Sequence, residues 1–218
     1  MAWRQQVRLA IFDWDGTLMN SVARIVACVY GAARDCGYPI PDEEEAKRII
    51  GLSLSAGLAR LFDDDEHSAQ TARLVERYRH HWRHDPTPSP LFDGASELLH
   101  AWHGQGILLA VATGKSRAGL DRVLDDTGLR SLFAASRGAD EARSKPDPLM
   151  LTQLLDELAI PLEQAVMIGD SVHDLGMAAT LGMNRIGVTW GVDSRARLAG
   201  FSPVALVDSM TELRQTLG

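Results

Sequence analysis

Three things are scarce in this chain, and each scarcity closes off a class of protein. Cysteine occurs only twice in 218 residues, at Cys28 and Cys36. Eight residues of helix would set the two about 12 Å apart, beyond direct disulfide reach. They read as reduced thiols, with Cys28 in the core, and no disulfide framework is expected. No apolar run approaches the roughly 18 residues that a membrane span needs. The opening Met1–Gln6 stretch carries no apolar leader before the first apolar run, so the cytoplasm is the expected compartment and no membrane partner is expected. Basic excess is also missing: 22 Lys and Arg against 29 Asp and Glu leave a formal net charge of −7. That balance argues against a nucleic-acid partner, which requires a basic face. It leaves room for a phosphorylated ligand, because a cation and a few local positive side chains reverse the field within one cleft.

What is present is ordinary globular material, 45% hydrophobic and 23% charged. The length exceeds one typical domain, which suggests one large domain or a core carrying a smaller insertion. The informative stretch comes first. Val7-Arg8-Leu9-Ala10-Ile11-Phe12 reads as a buried strand, and it ends in two carboxylates one residue apart, Asp13 and Asp15, before the turn at Gly16-Thr17. Acids at the carboxyl end of a strand sit where open α/β sheets bind ligands. Their mutual repulsion calls for a cation, a shared proton or strong hydrogen bonding.

Helical spacing follows. Asn20 or Ser21 is a competent N-cap for a helix carrying Val22, Ile25, Val26, Val29 and Tyr30, which ends near Gly37 and Pro39. Asp42 and Glu45 form a capping box for a second helix running to Ile50, Ser53 opens a third, and a fourth spans His67 to about His84. Asp85-Pro86-Thr87-Pro88-Ser89-Pro90 reads as a linker. Beyond it helix and strand alternate: a helix over 94–103, a strand over 107–112, a helix over 117–127 and a weak strand near 134–136. A helix after Pro148, a strand over 165–168, a helix over 172–181, strands at 186–189 and 205–207, and a final helix complete the chain. The expected fold is α/β, a doubly wound parallel-sheet core with an inserted α-helical cap. Residues 1–19 and 90–218 form the core and 20–89 the cap, lying over the paired acids.

Further polar groups fall where they can meet those acids. One strand runs into Thr113-Gly114-Lys115-Ser116, and another into Gly169-Asp170-Ser171-Val172-His173-Asp174. Ser144-Lys145-Pro146-Asp147-Pro148 places a lysine just before a helix. Carboxyl ends of parallel strands face one edge, so these groups can share a crevice. Gly114-Lys115-Ser116 is not a phosphate-binding P-loop, because Leu109 occupies the position where that motif needs its first glycine. Taken singly, Lys145 reads as a solvated loop cation, Asp170 as a helix cap and Thr113 as a strand-end hydroxyl; all occurring in order weakens those readings together.

In their order and spacing, D-x-D-G-T-L at Asp13–Leu18, Thr113, Lys145 and G-D-x-x-x-D at Gly169–Asp174 resemble the motifs of the haloacid dehalogenase-like phosphohydrolases. The resemblance spans the whole chain, with residues 20–84 similar to that superfamily's small helical cap. Lys145-Pro146-Asp147-Pro148 and Phe92-Asp93-Gly94 are similar to its phosphoglycolate phosphatase-like branch. The chain departs from that branch where Asn20-Ser21 stands in place of the common Asp-Ser. The resemblance implies a Mg²⁺-dependent phosphatase for a small phosphorylated substrate, with phosphoglycolate as the candidate, in a monomer or homodimer. It implies Asp13 as a nucleophile forming an aspartyl-phosphate and Asp15 as the acid and base. The metal would be held by Asp13, the backbone carbonyl of Asp15, Asp170 and Asp174, with Asp174 as ligand or support. Thr113, Gly114 and Lys145 would hold the phosphoryl group.

Two alternatives remain: a phosphosugar mutase of the same superfamily, and a phospho-receiver signalling module. The second is disfavoured because the acid pair is on the first strand and a helical insertion follows. A dehalogenase needs neither Asp15 nor a metal. By position, Gly51-Leu52-Ser53 is a cap loop suited to touching the leaving group, with Ser53 as the candidate contact. The histidines of His80–His84 include an i,i+4 pair without an evident third ligand and read as a solvated helix end. Asp63–Glu66 reads as a surface turn with helix caps. Arg73, Arg77 and Arg79 read as a solvated face, with the lesser alternative that one of them reaches substrate.

Overall fold

The computed structural model describes residues 2–217; Met1 and Gly218, the outer ends of the expected core segments, lie outside them. Six strands form one parallel sheet: β1 (Leu9–Phe12), β2 (Leu108–Ala112), β3 (Phe133–Arg137), β4 (Ala165–Gly169), β5 (Asn184–Val188) and β6 (Ala205–Val207). Their spatial order is β3-β2-β1-β4-β5-β6. The chain winds outward from β1 to β3, then returns beside β1 and winds the other way, which puts a topological switch point between β1 and β4. Phe12 is in register with both Val111 and Ile168. The residues that leave β1, β2 and β4 therefore emerge at one edge.

Side chains on a strand alternate between faces, and β1 is buried on both. Ala10 and Phe12 pack with Leu98, Leu99 and Trp102 of α5 (Ala95–Gly104) and with Leu120 and Leu124 of α6 (Arg117–Thr127). Leu213 of α10 (Met210–Leu217) closes the same layer. On the other face Leu9 and Ile11 meet Met150 and Leu154 of α7 (Leu149–Leu158) and Met177 of α8 (Val172–Leu181). The alternation of the sequence thus becomes a three-layer α/β core. One helix, α9 (Arg195–Ala199), lay outside the sequence expectation: it is a single short turn capped by Ser194.

Between β1 and α5 lie four helices, α1 (Val22–Cys36), α2 (Glu43–Lys47), α3 (Leu54–Leu61) and α4 (Ala69–His84). They enclose a separate apolar cluster that includes Val26, Val29, Leu58 and Leu74. The chain crosses between this unit and the sheet on two adjacent segments. Asn20 N–H donates to Pro90 O at 2.8 Å and Phe92 N–H to Leu18 O at 2.9 Å, with Met19 and Leu91 paired antiparallel between them.

Several local expectations shift. The Asp42–Glu45 capping box is present, but α2 stops at Lys47 rather than Ile50. Ile49 and Ile50 are buried in the turn that follows, where Gly51 takes a left-handed φ of 98°. Ser21 occupies the N-cap position of α1 yet makes no capping bond. Cys36 is the last residue of α1, and both cysteines are free. Asp170 is not the cap of α8; Ser171 is.

Candidate active site

Asp13 follows β1 directly, its N–H held by Ile168 O at 2.9 Å. Asp170 follows β4 and accepts from Thr17 Oγ1 at 2.8 Å and from Val192 N–H at 2.8 Å. The turn through Gly16 sits hard against it. A Cβ at Gly16 would lie 2.2 Å from Asp170 Oδ2, and Gly16 already has φ +85°, so only glycine fits. Asp174 lies one turn into α8, where its Oδ2 accepts from the Ser171 hydroxyl at 2.6 Å and the Ser171 N–H at 3.1 Å. The capping box of α8 thereby also fixes an acid of the site.

Lys145 enters this cluster from the loop before α7. Its ammonium donates to Asp13 Oδ1 and Asp174 Oδ1, both at 2.6 Å, and all three side chains are buried. The reading of Lys145 as a solvated loop cation is overturned. Burial disfavours its charge, but the facing carboxylates of Asp13 and Asp174 more than offset this and hold its pKa above the ordinary lysine value. Asp13 feels the converse. Burial pushes its carboxyl up to about 7 against the pull of Lys145, with the charges of Asp174 and Asp15 adding to the rise. Burial, then the charges of Asp13 and Asp174, likewise push Asp170 well above the carboxylate range.

Three buried acids share one lysine, so the cluster is short of positive charge. Single oxygens of Asp13, Asp170 and Asp174 lie within 4.8 Å of one another, and Asp13 Oδ2 is buried without a hydrogen-bond partner. An orphaned carboxylate oxygen inside a protein costs free energy, and oxygen donors at this spacing suit a hard divalent cation such as Mg²⁺. The residues present therefore fit that ion.

Asp15 faces a different set of neighbours. Its Oδ1 accepts from Ser21 Oγ at 2.5 Å, which explains why Ser21 does not cap α1, and pairs with Lys115 Nζ at 2.9 Å. Lys115 in turn lies over the Trp82 ring of α4 at 4.7 Å. The lysine of the failed P-loop motif thus links the second acid to the helical unit, a role the sequence did not disclose. Trp14 points the other way: it is fully buried, donates from Nε1 to Met19 Sδ at 3.3 Å and packs on Phe133.

Thr113 and Gly114 leave β2 at the same edge, and the helical unit presses on them. A Cβ at Gly114 would lie 2.2 Å from Leu52 O. Ser53 N–H donates to Ser144 Oγ at 2.8 Å, while the Ser53 hydroxyl caps α3 and bonds Glu66. His173 meets Arg48 O at 3.0 Å. The loop 48–53 is therefore stitched to the sheet edge by backbone groups, and Ser53 lines the cleft with its side chain already engaged.

That cleft holds about 620 Å³. Asp13 and Asp15 line it together with Gly51–Ser55, Tyr78, Arg79, Trp82 and Arg83 of the helical unit and Gly114–Ser116 with Arg122 of the sheet layer. Arg79 faces it, and Arg83 and Arg122 were not foreseen; an arginine on an exposed helical face carries no sequence mark of what it faces. His80 and His84 are not part of any metal-competent group among the described residues, and His81 pairs with Asp35 at 2.8 Å.

Comparisons with known proteins bear on this geometry. The model of the haloacid dehalogenase-like hydrolase family matches residues 10–188. The protein named "Probable phosphatase IndB" of Dickeya dadantii is 34% identical over 209 residues, 94% of this chain and 91% of that protein. The phosphoglycolate phosphatase of Rhodospirillum rubrum is 32% identical over 221 residues, 97% and 91% of the two chains. A haloacid dehalogenase-like family hydrolase from Streptococcus pneumoniae superposes with a TM-score of 0.84 at 22% identity, covering 98% of this chain and all of that one, which shows the shared fold. The chain belongs to the haloacid dehalogenase-like hydrolases, as a phosphatase enzyme of the phosphoglycolate phosphatase-like branch.

Proposed function

We propose that the enzyme hydrolyses a small phosphorylated metabolite in a Mg²⁺-dependent reaction through an aspartyl-phosphate on Asp13. The observation that carries this reading is the buried, unpartnered Asp13 Oδ2 beside Asp170, with Asp13 Oδ1 clamped by Lys145. Asp13, Asp170, Asp174 and the Asp15 backbone carbonyl would hold Mg²⁺, which would supply positive charge for the phosphoryl oxygens. Lys145 shares that task and draws the Asp13 carboxyl toward its ionised form against the push of burial. Asp13 attacks phosphorus, and the leaving alkoxide takes a proton from Asp15. Asp15 then accepts a proton from water, whose oxygen attacks the acyl phosphate, releasing phosphate and restoring Asp13. Ser21 and Lys115 fix Asp15 for both transfers. Thr113 and the Gly114 N–H hold phosphoryl oxygens.

The four-helix unit serves as a cap that closes the cleft to macromolecules. Phosphoglycolate, the substrate that the Rhodospirillum relative's name gives, is the first candidate. The cytoplasm is the proposed compartment, in keeping with two free cysteines. The test is phosphate release from a panel of phosphorylated metabolites with and without Mg²⁺, beside Asp13→Asn. Metal-dependent release that the variant abolishes is expected. Equal turnover by the variant would remove Asp13 from its role, and isomerisation without phosphate release would favour a phosphosugar mutase.

A further inference from the structure

Residues 190–193, a strap between β5 and α9, wrap around Asp170. The Val192 N–H donates to Asp170 Oδ2 at 2.8 Å, and the Asp193 N–H to the Asp170 carbonyl at 3.2 Å. Trp190 Nε1 donates to Thr17 O at 3.1 Å, and Thr17 Oγ1 in turn to Asp170 Oδ1 at 2.8 Å. Both carboxylate oxygens of Asp170 are therefore held, one by the strap directly and one through Thr17. Asp193 Oδ2 accepts from the Val172 N–H at 2.7 Å, which ties the strap to the first turn of α8, where Asp174 sits.

The same strap reaches the helical unit. Val192 packs against the apolar cluster of the cap, and every other described residue in or against that cluster lies within residues 22–82. The cap also rests on the first turn of α8. His173 Nε2 meets Arg48 O at 3.0 Å, and a Cβ at Gly51 would lie 3.1 Å from Ser171 Oγ, the hydroxyl that holds Asp174. The cap thus sits on the groups that position two of the three clustered acids. Val192 joins the two sides: Asp170 fixes its N–H and the cap buries its side chain. A shift of the cap uncovers that side chain and removes the burial that favours this placement of the strap.

We infer that Val192 is a positioning residue for the metal site, acting through Asp170, and that seating of the cap and Mg²⁺ affinity are coupled through it. The inference rests on the Mg²⁺ part of the proposed function and adds a dependence on the cap. Such coupling is reciprocal: a cation held by Asp170 steadies the cap as much as a seated cap steadies Asp170.

Val192→Ala keeps the N–H that touches Asp170 and shortens only the side chain that touches the cap. Titration calorimetry should show Mg²⁺ affinity lowered about fivefold, the low end of coupling between two sites. Val192→Ile should restore most of it. Val204→Ala, the same truncation against the sheet-layer core, should leave affinity native. In the native protein Mg²⁺ should slow amide exchange over residues 48–53, and Val192→Ala should diminish that slowing. Native Mg²⁺ affinity in Val192→Ala, with its fold confirmed by circular dichroism, overturns the coupling. Should that variant not fold, the native protein alone decides: exchange over 48–53 that is unchanged by Mg²⁺ overturns it equally. A native protein that binds no Mg²⁺ strikes the metal reading and the coupling with it, whereas equal binding by native protein and variant strikes the coupling alone.

Discussion

The ammonium of Lys145 lies 2.6 Å from Asp13 Oδ1 and 2.6 Å from Asp174 Oδ1, and all three side chains are buried. A buried charge that loses its partner is costly, about 3–5 kcal/mol. Lys145→Met leaves two facing carboxylates and should destabilise the metal-free protein on that scale, about 6–20 °C in Tm for a chain of this size. Saturating Mg²⁺ should recover part of the loss. A scanning-calorimetry comparison checks it; a variant as stable as the native protein would mean the lysine is not holding the acids together.

The pH dependence has a definite sign. Asp13 rises from an ordinary value near 4 to about 7 in the folded chain. The folded state therefore holds a proton that the unfolded chain has lost, and this contribution to stability falls as pH climbs from about 4 to 7. A divalent cation requires the deprotonated acids, so its stabilisation should grow over the same range. At roughly 100 times the dissociation constant the gain is about 2.7 kcal/mol, or about 5–11 °C. Thermal unfolding with and without Mg²⁺ at pH 5 and pH 8 should show the larger shift at pH 8.

Gly191, like Gly16, packs directly against Asp170. A Cβ there would stand 2.0 Å from Asp170 Oδ2, and the Val192 N–H that fixes this oxygen is the next donor along the chain. Gly191→Ala must displace the Asp170 side chain from its present position. Mg²⁺ affinity should fall about 10–100-fold, the range for loss of a group that orients a ligand. Titration calorimetry with Mg²⁺ and a circular dichroism spectrum separate this from unfolding.

Gly114→Ala tests the contact between the helical unit and β2. Its Cβ would meet Leu52 O at 2.2 Å, backbone against backbone, so the loop 51–53 must lift. KM should rise severalfold with a smaller change in kcat, and amide exchange over residues 51–53 should quicken. Unchanged exchange there would show that the loop does not rest on Gly114.

By itself, the sequence determined the order of elements, the identity of the buried strands and the acids at their ends. Those features are local: a run such as Leu9–Phe12 can satisfy its backbone and bury its side chains only within a sheet, and the alternation beyond Pro90 dictates parallel crossovers. Register in the sheet then brings Asp13, Thr113 and Asp170 to one edge. Short, weakly patterned pieces were less legible. The Asn184 start of β5 and the helix α9 rest on tertiary neighbours rather than on periodicity.

Only the tertiary structure decided what each charge faces. Asp13 and Asp15 look alike in sequence, yet one is enclosed with Lys145 and two further acids while the other meets Ser21 and Lys115. Lys145 is a loop cation by sequence and the buried centre of the cluster in space; Arg122 is an exposed helical residue by sequence and part of a cleft wall in space. The reason is physical: the sign of a charge belongs to the residue, whereas its energy depends on which distant groups the fold brings near and how much water it removes.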